Sequence, residues 1–234
     1  MQDKTEPLGL DPIPERRSAA DIVFDELHRR ILSLDLKPGT KMSEIEVAKQ
    51  AGVSRQPVRD AFWRLSQLGF LEIRPQRATL ITKISERAVK RARFIRTALE
   101  VEIIRTACET FTDEDIAAIE ALIKRQDAAC QAGDKEGFHA LDDYMHQEIC
   151  RRAGVLFAWD LIHVQKSHMD RVRYLSLSFA SEQAYSDHVE LLAALKERDA
   201  DKAADIMRGH LSRIDSLIGQ IRVDHSAYFE GEAG

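Results

Sequence analysis

Proline and glycine are scarce in this sequence, and proline is missing from most of it. Six of the 234 residues are proline and 11 are glycine, and no proline follows Pro75. Proline breaks helices because it lacks an amide donor and its ring clashes with the preceding turn. Its absence favours long, uninterrupted helices from about residue 85 onward. The low glycine content argues against a disordered or low-complexity chain.

Long apolar runs are also lacking. No stretch approaches the roughly 20 apolar residues that a membrane helix needs. The polar first 17 residues lack the apolar core of a signal peptide. We therefore expect a cytoplasmic protein without a membrane partner.

Cysteine contributes only three residues, which are well separated and outside any CxxC spacing. An odd number of isolated cysteines favours buried free thiols in a reducing compartment over a disulfide framework. These residues are Cys108, Cys130 and Cys150.

The net charge of −5 is unevenly distributed along the chain. Residues 15–85 contain 13 Lys and Arg against 9 Asp and Glu, whereas residues 86–234 contain 20 against 27. The first segment is therefore basic (+4) and the second acidic (−7). A basic module joined to an acidic one is typical of a protein that contacts nucleic acid at one end only.

The first 85 residues combine three helical patterns with two short strand patterns. Ser43 and Glu46 have capping-box spacing at the start of the second helix, and Gly52 suits the left-handed position after its end. Three helices followed by a hairpin predict a winged helix-turn-helix. The expected helices span 18–34, 43–51 and 54–67, and the expected strands span 71–73 and 79–81.

The remaining sequence predicts a second, all-α domain, so the expected fold class is mainly α. Acidic residues cluster where several of its helices should begin, which suits the positive end of a helix. The expected helices span about 85–110, 112–132, 135–153, 155–178, 181–198 and 200–222. We expect a flexible tail at 1–15, a DNA-binding domain at 16–84, a helical ligand-binding domain at 85–223 and a flexible tail at 224–234.

The most informative segment begins at Gly52 and reads GVSRQPVRDAF. Gly52 suits a tight turn, and Ser54 is placed to cap a helix. Pro57 falls in the first helical turn, where its missing amide costs nothing. Arg55 and Arg59 lie one turn apart and project from one face of the helix. Arginine donors near a helix N-terminus suit guanine edges and phosphates.

Further DNA contacts are expected beside this arginine pair. The tip of the predicted hairpin carries cations that suit a minor groove or its flanking phosphates. Two arginines on a short helix, taken alone, more often form a solvated face. The capped helix before them and the basic hairpin after them favour DNA binding. The predicted contacts are Ser54, Arg55, Gln56, Pro57, Arg59, Arg74, Gln76 and Arg77.

Residues 43–85 resemble the DNA-binding domain of the GntR family of bacterial transcription factors. The matching pattern includes Ser43-Glu44, Val47-Ala48, the run that starts at Gly52, and Gly69-Phe70-Leu71. Two positions depart from it: Gln56 stands where the family usually has threonine, and Ala78 where the wing usually has glycine. The resemblance implies a homodimer that binds a short inverted repeat in double-stranded operator DNA.

Several inward-facing histidines and one aspartate recur in the second half of the chain. Asp142 and His146 are spaced i, i+4, so they share one face of a helix, a common arrangement for two ligands of one metal. His188 and His210 each lie on an apolar helical stripe. A single inward histidine is more often an ordinary core residue. Three of them with a carboxylate at ligand spacing make a buried metal site an equal alternative.

Two further histidines compete for these roles. His139 lies three residues before Asp142 on the same helix face, and His168 falls on another apolar stripe. The residue pattern alone leaves the ligand set open.

Residues 86–222 resemble the FCD effector domain of the FadR subfamily, and their six helices resemble its VanR branch. Metal-binding members carry Asp-x3-His on one helix and single histidines on the last two helices. The resemblance therefore implies Asp142, His146, His188 and His210 as ligands. It also implies a divalent metal, Zn²⁺ before Ni²⁺, with a small organic acid effector completing the coordination.

Arg96 matches the arginine that the family carries on the first effector-domain helix. A guanidinium group there can clamp an acid in a bidentate manner. The alternative is an i, i+4 ion pair with Glu100. Arg173 and Tyr174, and with them Arg171, are further candidates for the effector pocket.

These patterns predict a transcriptional regulator rather than an enzyme, and a repressor whose operator and effector weaken each other's binding. One alternative is a metal sensor in which the ion itself is the signal. Another is a metal-dependent hydrolase, since three imidazoles and a carboxylate could activate water. The sequence carries neither an HExxH motif nor a nucleophile elbow, which argues against the hydrolase.

Overall fold

Nine α-helices and three short strands make up residues 17–74, 77–176 and 181–231, the part of the chain that this computed structural model describes. Three helices and all the strands precede residue 82, and the other six helices follow it. The predicted mainly α fold, a winged helix-turn-helix followed by a helical bundle, is confirmed.

In the N-terminal domain, α1 packs against α3, and their apolar faces share one core with α2 and the sheet. Strand β3 is central, with β1 and β2 antiparallel on either side. The sequence does not predict β1, because two residues are too few to reveal alternation. The helices are α1 Ala19–Leu32, α2 Glu44–Ala51 and α3 Arg55–Gln67, and the strands are β1 Lys41–Met42, β2 Leu71–Glu72 and β3 Thr79–Ile81.

The ends of α2 only partly follow the expectation. Gly52 ends α2 with a φ of 65°, a left-handed conformation that is cheap only for glycine. The predicted capping box is wrong: Ser43 occupies the N-cap position, but its hydroxyl makes no capping hydrogen bond. Instead, Glu44 and Glu46 place negative charge at the positive end of the helix. Ser54 likewise precedes α3 without a side-chain cap.

The C-terminal domain consists of six helices, as predicted. Thr112, Asp134 and Asp199 each accept a hydrogen bond from a backbone amide in the first turn of the helix that they precede. Every helix in the described part of the chain is too short or too polar to cross a bilayer. The helices are α4 Glu86–Thr110, α5 Asp113–Gln131, α6 Lys135–Arg152, α7 Leu156–Ser176, α8 Ser181–Glu197 and α9 Ala200–Asp224.

The end of the chain departs from the flexible tail expected at 224–234. Ser226–Tyr228 forms a 3-10 turn after α9, and Phe229 is only 3% exposed. The Ile84 N–H donates to the Tyr228 carbonyl at 2.8 Å, and the Glu230 N–H donates to the Ile84 carbonyl at 3.0 Å. Although this segment is largely polar, its Phe229 ring packs against the start of the C-terminal domain.

Helix α7 of the C-terminal domain contacts the N-terminal domain. Its His168 ring stacks on Phe70, with the ring centroids 4.8 Å apart. Its buried Arg171 donates a hydrogen bond to the Thr82 carbonyl at 2.6 Å. Arg171 therefore holds the domains together and does not line the cavity described below, where it was a candidate.

We expect mild acid to destabilise the protein through His28. Burial beside the rings of Phe24 and Phe70 lowers the pKa of His28 from 6.5 to about 4. The unfolded chain therefore takes up a proton first, and the stability that neutral His28 provides is lost as the pH falls from 6.5 towards 4. Measured by urea unfolding, the free energy of unfolding of the wild type should fall by about 1–2 kcal/mol more between pH 7.5 and pH 5 than that of His28→Gln. Equal losses would contradict this assignment.

Candidate functional site

Asp142, His146, His188 and His210 meet at one point in the C-terminal domain. Helix α6 carries the first two residues one turn apart, and α8 and α9 contribute one histidine each. One ligand-type atom of each residue lies within 4.8 Å of the others. We call these four residues the ligand cluster. Three helices thus bring together residues that the sequence separates widely.

Three atoms of the ligand cluster are buried without a hydrogen-bond partner among the described residues: Asp142 Oδ1, His146 Nε2 and His188 Nε2. Buried polar atoms are normally paired, because an unpaired atom loses its hydration without compensation. Imidazole nitrogens and carboxylate oxygens are ligands that Zn²⁺ and Ni²⁺ accept. The donor set therefore fits a divalent transition-metal ion.

The other ring nitrogen of each histidine is held by a polar side chain. His146 Nδ1 lies 2.6 Å from Glu100 Oε2, and His188 Nδ1 lies 2.8 Å from Gln126 Oε1. His210 Nδ1 lies 3.2 Å from an Asp187 carboxylate oxygen. Such contacts fix the ring orientation and favour protonation of Nδ1. The Nε2 lone pairs then remain available for an ion.

The charge states of the cluster also suit metal ligation. Burial alone would raise the pKa of Asp142, but the charge of Arg173 outweighs it and holds this pKa well below its ordinary value. Burial lowers the pKa of His188 well below 6.5 and also lowers the pKa of His210. The carboxylate is therefore ionised and these imidazoles are neutral near pH 7, as metal ligation requires.

A cavity of about 280 Å³ adjoins the cluster. Asp142 and His210 belong to its wall, together with the guanidinium groups of Arg96, Arg173 and Arg213. The volume is close to the lower end of small-molecule sites, about 300 Å³. Arginines beside a candidate metal position favour an anionic ligand. Much of the remaining wall is apolar and includes Phe138, Met169, Leu211, Ile214 and Leu217.

The predicted effector contacts differ in whether they line the cavity. Arg96 forms the alternative i, i+4 ion pair, with its Nε 2.6 Å from Glu100 Oε1, and it also lines the cavity. Arg173 contacts the Asp142 carboxylate. Tyr174 lies against the His139 ring, with the centroids 5.2 Å apart, and is not among the residues that line this cavity.

The competing histidines lie outside the ligand cluster. His139 approaches Asp143 and Asp170, at 3.8 and 3.7 Å. Lys166 Nζ lies 2.8 and 2.6 Å from the same two carboxylates, and Arg173 also reaches both, so two cations already compensate their charge. This second group is a buried ion network. His168 belongs to the contact between the domains.

The predicted DNA-contacting arginines lie on the exposed side of α3. Arg55 and Arg59 are 56% and 57% exposed, and both reach Glu44 Oε2, at 3.2 and 3.6 Å. Exposed ion pairs contribute little to stability, so a phosphate group can displace Glu44 from these arginines at a small cost in free energy. Gln56 donates to Asp60 at 2.9 Å.

The remaining predicted DNA contacts flank this helix. Ser54 is exposed at the start of α3, and the half-buried Pro57 lies in its first turn. At the predicted wing, Arg74 donates twice to Glu72, at 2.7 and 2.6 Å. Arg77 is exposed. Gln76 lies outside the described residues.

Two family profiles match the chain. The profile described as "Bacterial regulatory proteins, gntR family" matches residues 19–81, and that of the "FCD domain" matches residues 92–213. The HTH-type transcriptional repressor RspR of Escherichia coli K12 is 36% identical over 212 residues, which cover 90% of this chain and 93% of that protein. The chain belongs to the GntR family of transcriptional regulators.

Other comparisons agree with this assignment. A probable D-xylose utilization operon transcriptional repressor of Paenarthrobacter nicotinovorans is 28% identical to the regulator over 84% of this chain and 87% of its own. The solved structure of E. coli McbR/YncC superposes with a TM-score of 0.73 at 24% identity, covering 88% of this chain and 99% of that one. The structural likeness supports the fold alone.

Removing one member of the ligand cluster should weaken divalent-metal binding by the regulator. We expect His188→Ala to lower Zn²⁺ affinity at least about 100-fold, and Gln126→Leu, which removes the support of that ring, to lower it about 10- to 100-fold. Competition with a chromogenic chelator measures both effects. His163→Ala, an exposed histidine on α7, serves as the control and should retain wild-type affinity. Wild-type affinity in all three variants would contradict a metal site here.

Removing an arginine from α3 should weaken operator binding. We expect Arg59→Ala to raise the dissociation constant about 10- to 100-fold at 150 mM salt, because a base-contacting arginine contributes about 1–3 kcal/mol. The matched control is Arg29→Ala, since this α1 arginine is 59% exposed against 57% for Arg59. Fluorescence anisotropy with a duplex selected from a random pool by the wild-type protein measures the change. Equal effects of both substitutions would contradict readout by α3.

Proposed function

We propose that this regulator is a repressor that binds a short inverted repeat as a homodimer and releases it when an organic acid binds beside a divalent metal. The observation that carries the proposal is the set of buried ligand atoms, unpartnered among the described residues, next to an arginine-lined cavity. Two relatives that are named repressors support the direction of control. Similarity to regulators over nearly the whole chain leaves no reason to propose a hydrolase.

The ligand cluster would hold the ion, with Zn²⁺ expected first and Ni²⁺ second. When bound, the ion supplies a Lewis-acid position for one carboxylate oxygen of the effector. Asp142 brings one negative charge and the three imidazoles bring none. The site would therefore keep net positive charge, which favours an anionic effector.

Arginines would hold the rest of the acid group. Arg96 and Arg173 line the cavity while they are paired with Glu100 and Asp142. A guanidinium group has five N–H donors, so each arginine can keep its internal partner and still donate to an incoming carboxylate. The pairs also keep the arginines oriented before the effector arrives, which reduces the entropy cost of binding.

The apolar part of the cavity favours an acid with an apolar body. His210, Ile214 and Leu217 recur at about one-turn spacing along α9 and all line the cavity. Ile214 and Leu217 therefore extend apolar wall about 10 Å from the ligand cluster, at about 1.5 Å per residue, beside Arg213 and Ser216 of the same helix. A short dicarboxylate would leave this surface without a partner, so we propose a monocarboxylate with an apolar chain or ring.

Helix α7 gives effector binding a route to the DNA-binding domain. Arg173 contacts Asp142 in the ligand cluster, whereas His168 and Arg171 on the same helix contact the N-terminal domain. A change in the contacts of Arg173 would therefore act on α7, the helix that also positions the winged domain. Effector and operator binding would then be reciprocally coupled.

A metal sensor is the second candidate function, because the contact between Arg173 and Asp142 also favours it. Arg173 and an ion would compete for the Asp142 carboxylate, so the ion alone could alter α7. Operator affinity measured with and without chelator, in the absence of any acid, separates the two functions.

We expect an acid of suitable shape to raise the operator dissociation constant at least about tenfold, and only in metal-loaded protein, given typical coupling energies of about 1–3 kcal/mol. The experiment is an anisotropy titration of the protein–operator complex with monocarboxylates of increasing chain length and with dicarboxylates. Protein stripped by chelator should keep its operator affinity and lose the response to acid. If chelator alone changes operator affinity, the metal-sensor function is correct. If neither acid nor metal alters operator affinity, both control mechanisms are wrong.

A further inference from the structure

An apolar surface lies on the outside of the C-terminal domain, where α4 and α7 pack side by side. Phe94 on α4 is 72% exposed, and on α7 the exposed fractions of Phe157, Leu161 and Val164 are 71%, 57% and 45%. Single exposed apolar residues are ordinary, whereas a contiguous group marks an interaction surface.

The packing of α4 and α7 determines which of these residues lie level with each other. Ala92 of α4 shares a buried cluster with Val172 of α7, and Ile104 of α4 shares another with Ala158 of α7. The two helices are therefore antiparallel. The two pairs place Phe94 level with about residue 169 of α7, and Val164, Leu161 and Phe157 level with about residues 99, 102 and 106 of α4. We call Phe94, Val164, Leu161, Phe157 and the exposed α4 residues beside them the α4–α7 face.

Charges of opposite sign flank the apolar centre on α4. Five exposed positions along this helix recur every three or four residues and form one stripe, beside which exposed Lys90 is paired with Glu86. None of the three charged side chains in this stripe forms a salt bridge within residues 17–74, 77–176 and 181–231. In chain order the stripe reads Arg87, Arg91, Phe94, Ala98 and Glu102.

This order of charges is complementary to itself. If α4 packs antiparallel against α4 of a second copy, with the two-fold axis near residue 96, Arg91 faces Glu102 of the other copy, and the pair occurs twice. Phe94 then faces the region of Ala98, so a large side chain meets a small one. A parallel arrangement would place Arg91 against Arg91, which like-charge repulsion disfavours. A two-fold interface requires such a self-complementary surface.

We propose that the α4–α7 face is the surface through which two copies of this chain associate. Phe94 and Val164 would form its dry centre, the Arg91–Glu102 pairs would flank that centre, and Leu161 and Phe157 would extend the apolar contact away from the two-fold axis. The proposal rests on the homodimer of the proposed function and adds the location of its contact. It leaves the α3 surface and the cavity free.

Charge reversal tests the orientation of the two copies. Arg91→Glu and Glu102→Arg each place like charges together, so each should raise the dimer dissociation constant at least about tenfold at low salt. The double variant Arg91→Glu/Glu102→Arg restores two opposite-charge pairs and should dimerise like the wild type. Sedimentation velocity over a concentration series measures the constants, against a monomer mass of 26.6 kDa. Failure of the double variant to recover would overturn the antiparallel arrangement.

A matched pair of substitutions tests the apolar centre. Val164 on the α4–α7 face and Val189 on α8 have similar exposures, 45% and 42%. Val164→Asp should yield monomer at concentrations where the wild type is dimeric, and Val189→Asp should remain dimeric. Circular dichroism and thermal unfolding verify that both variants are folded.

The outcomes separate this proposal from the proposed function. If the wild type is a dimer and Val164→Asp and the charge reversals remain dimers, the surface assigned here is wrong and dimeric operator binding stands. If the wild type is a monomer at tens of micromolar, alone and on the operator, both the surface and the homodimer are wrong. Control by metal and acid is measured separately, by operator anisotropy.

Discussion

Convergence of four ligand-type side chains, three of them buried, at one point is the constraint on which the C-terminal domain depends. Unpaired polar atoms inside a protein are costly, so their positions must be fixed by surrounding structure. Helices α6, α8 and α9 carry the cluster itself. Glu100 on α4, Gln126 on α5 and Arg173 on α7 hold its members from outside. All six helices of the bundle therefore contribute to a single polar centre.

The same arrangement links ligand chemistry to the rest of the molecule. Arg173 contacts Asp142 and also Asp143, where a buried network with Lys166 begins. Because this network is carried largely by α7, a change in its charges acts on the helix that contacts the winged domain. A packed interior passes such changes on because it resists continuous deformation.

The DNA-binding domain has the opposite character, since its predicted DNA-contacting groups are exposed and weakly held. Glu44 gathers Arg55 and Arg59 beside each other, and Glu72 holds Arg74 in the same way. Carboxylates of this kind would keep the arginines ordered in solution and would yield to phosphate in the predicted complex with DNA. The acidic C-terminal domain leaves the basic end as the attractive surface for DNA.

The sequence by itself determined the features that depend on local spacing. Helical periods located the nine helices of the described residues, glycine stereochemistry ended α2 at Gly52, and the i, i+4 spacing of Asp142 and His146 placed two potential ligands on one face. The family resemblance then named His188 and His210 as the remaining candidate ligands. Only the tertiary structure separated His139 and His168 from the cluster, placed Arg173 against Asp142 and packed Phe229 against Ile84. These outcomes depend on which helix faces meet, and a periodic pattern states that a face is buried without stating what buries it.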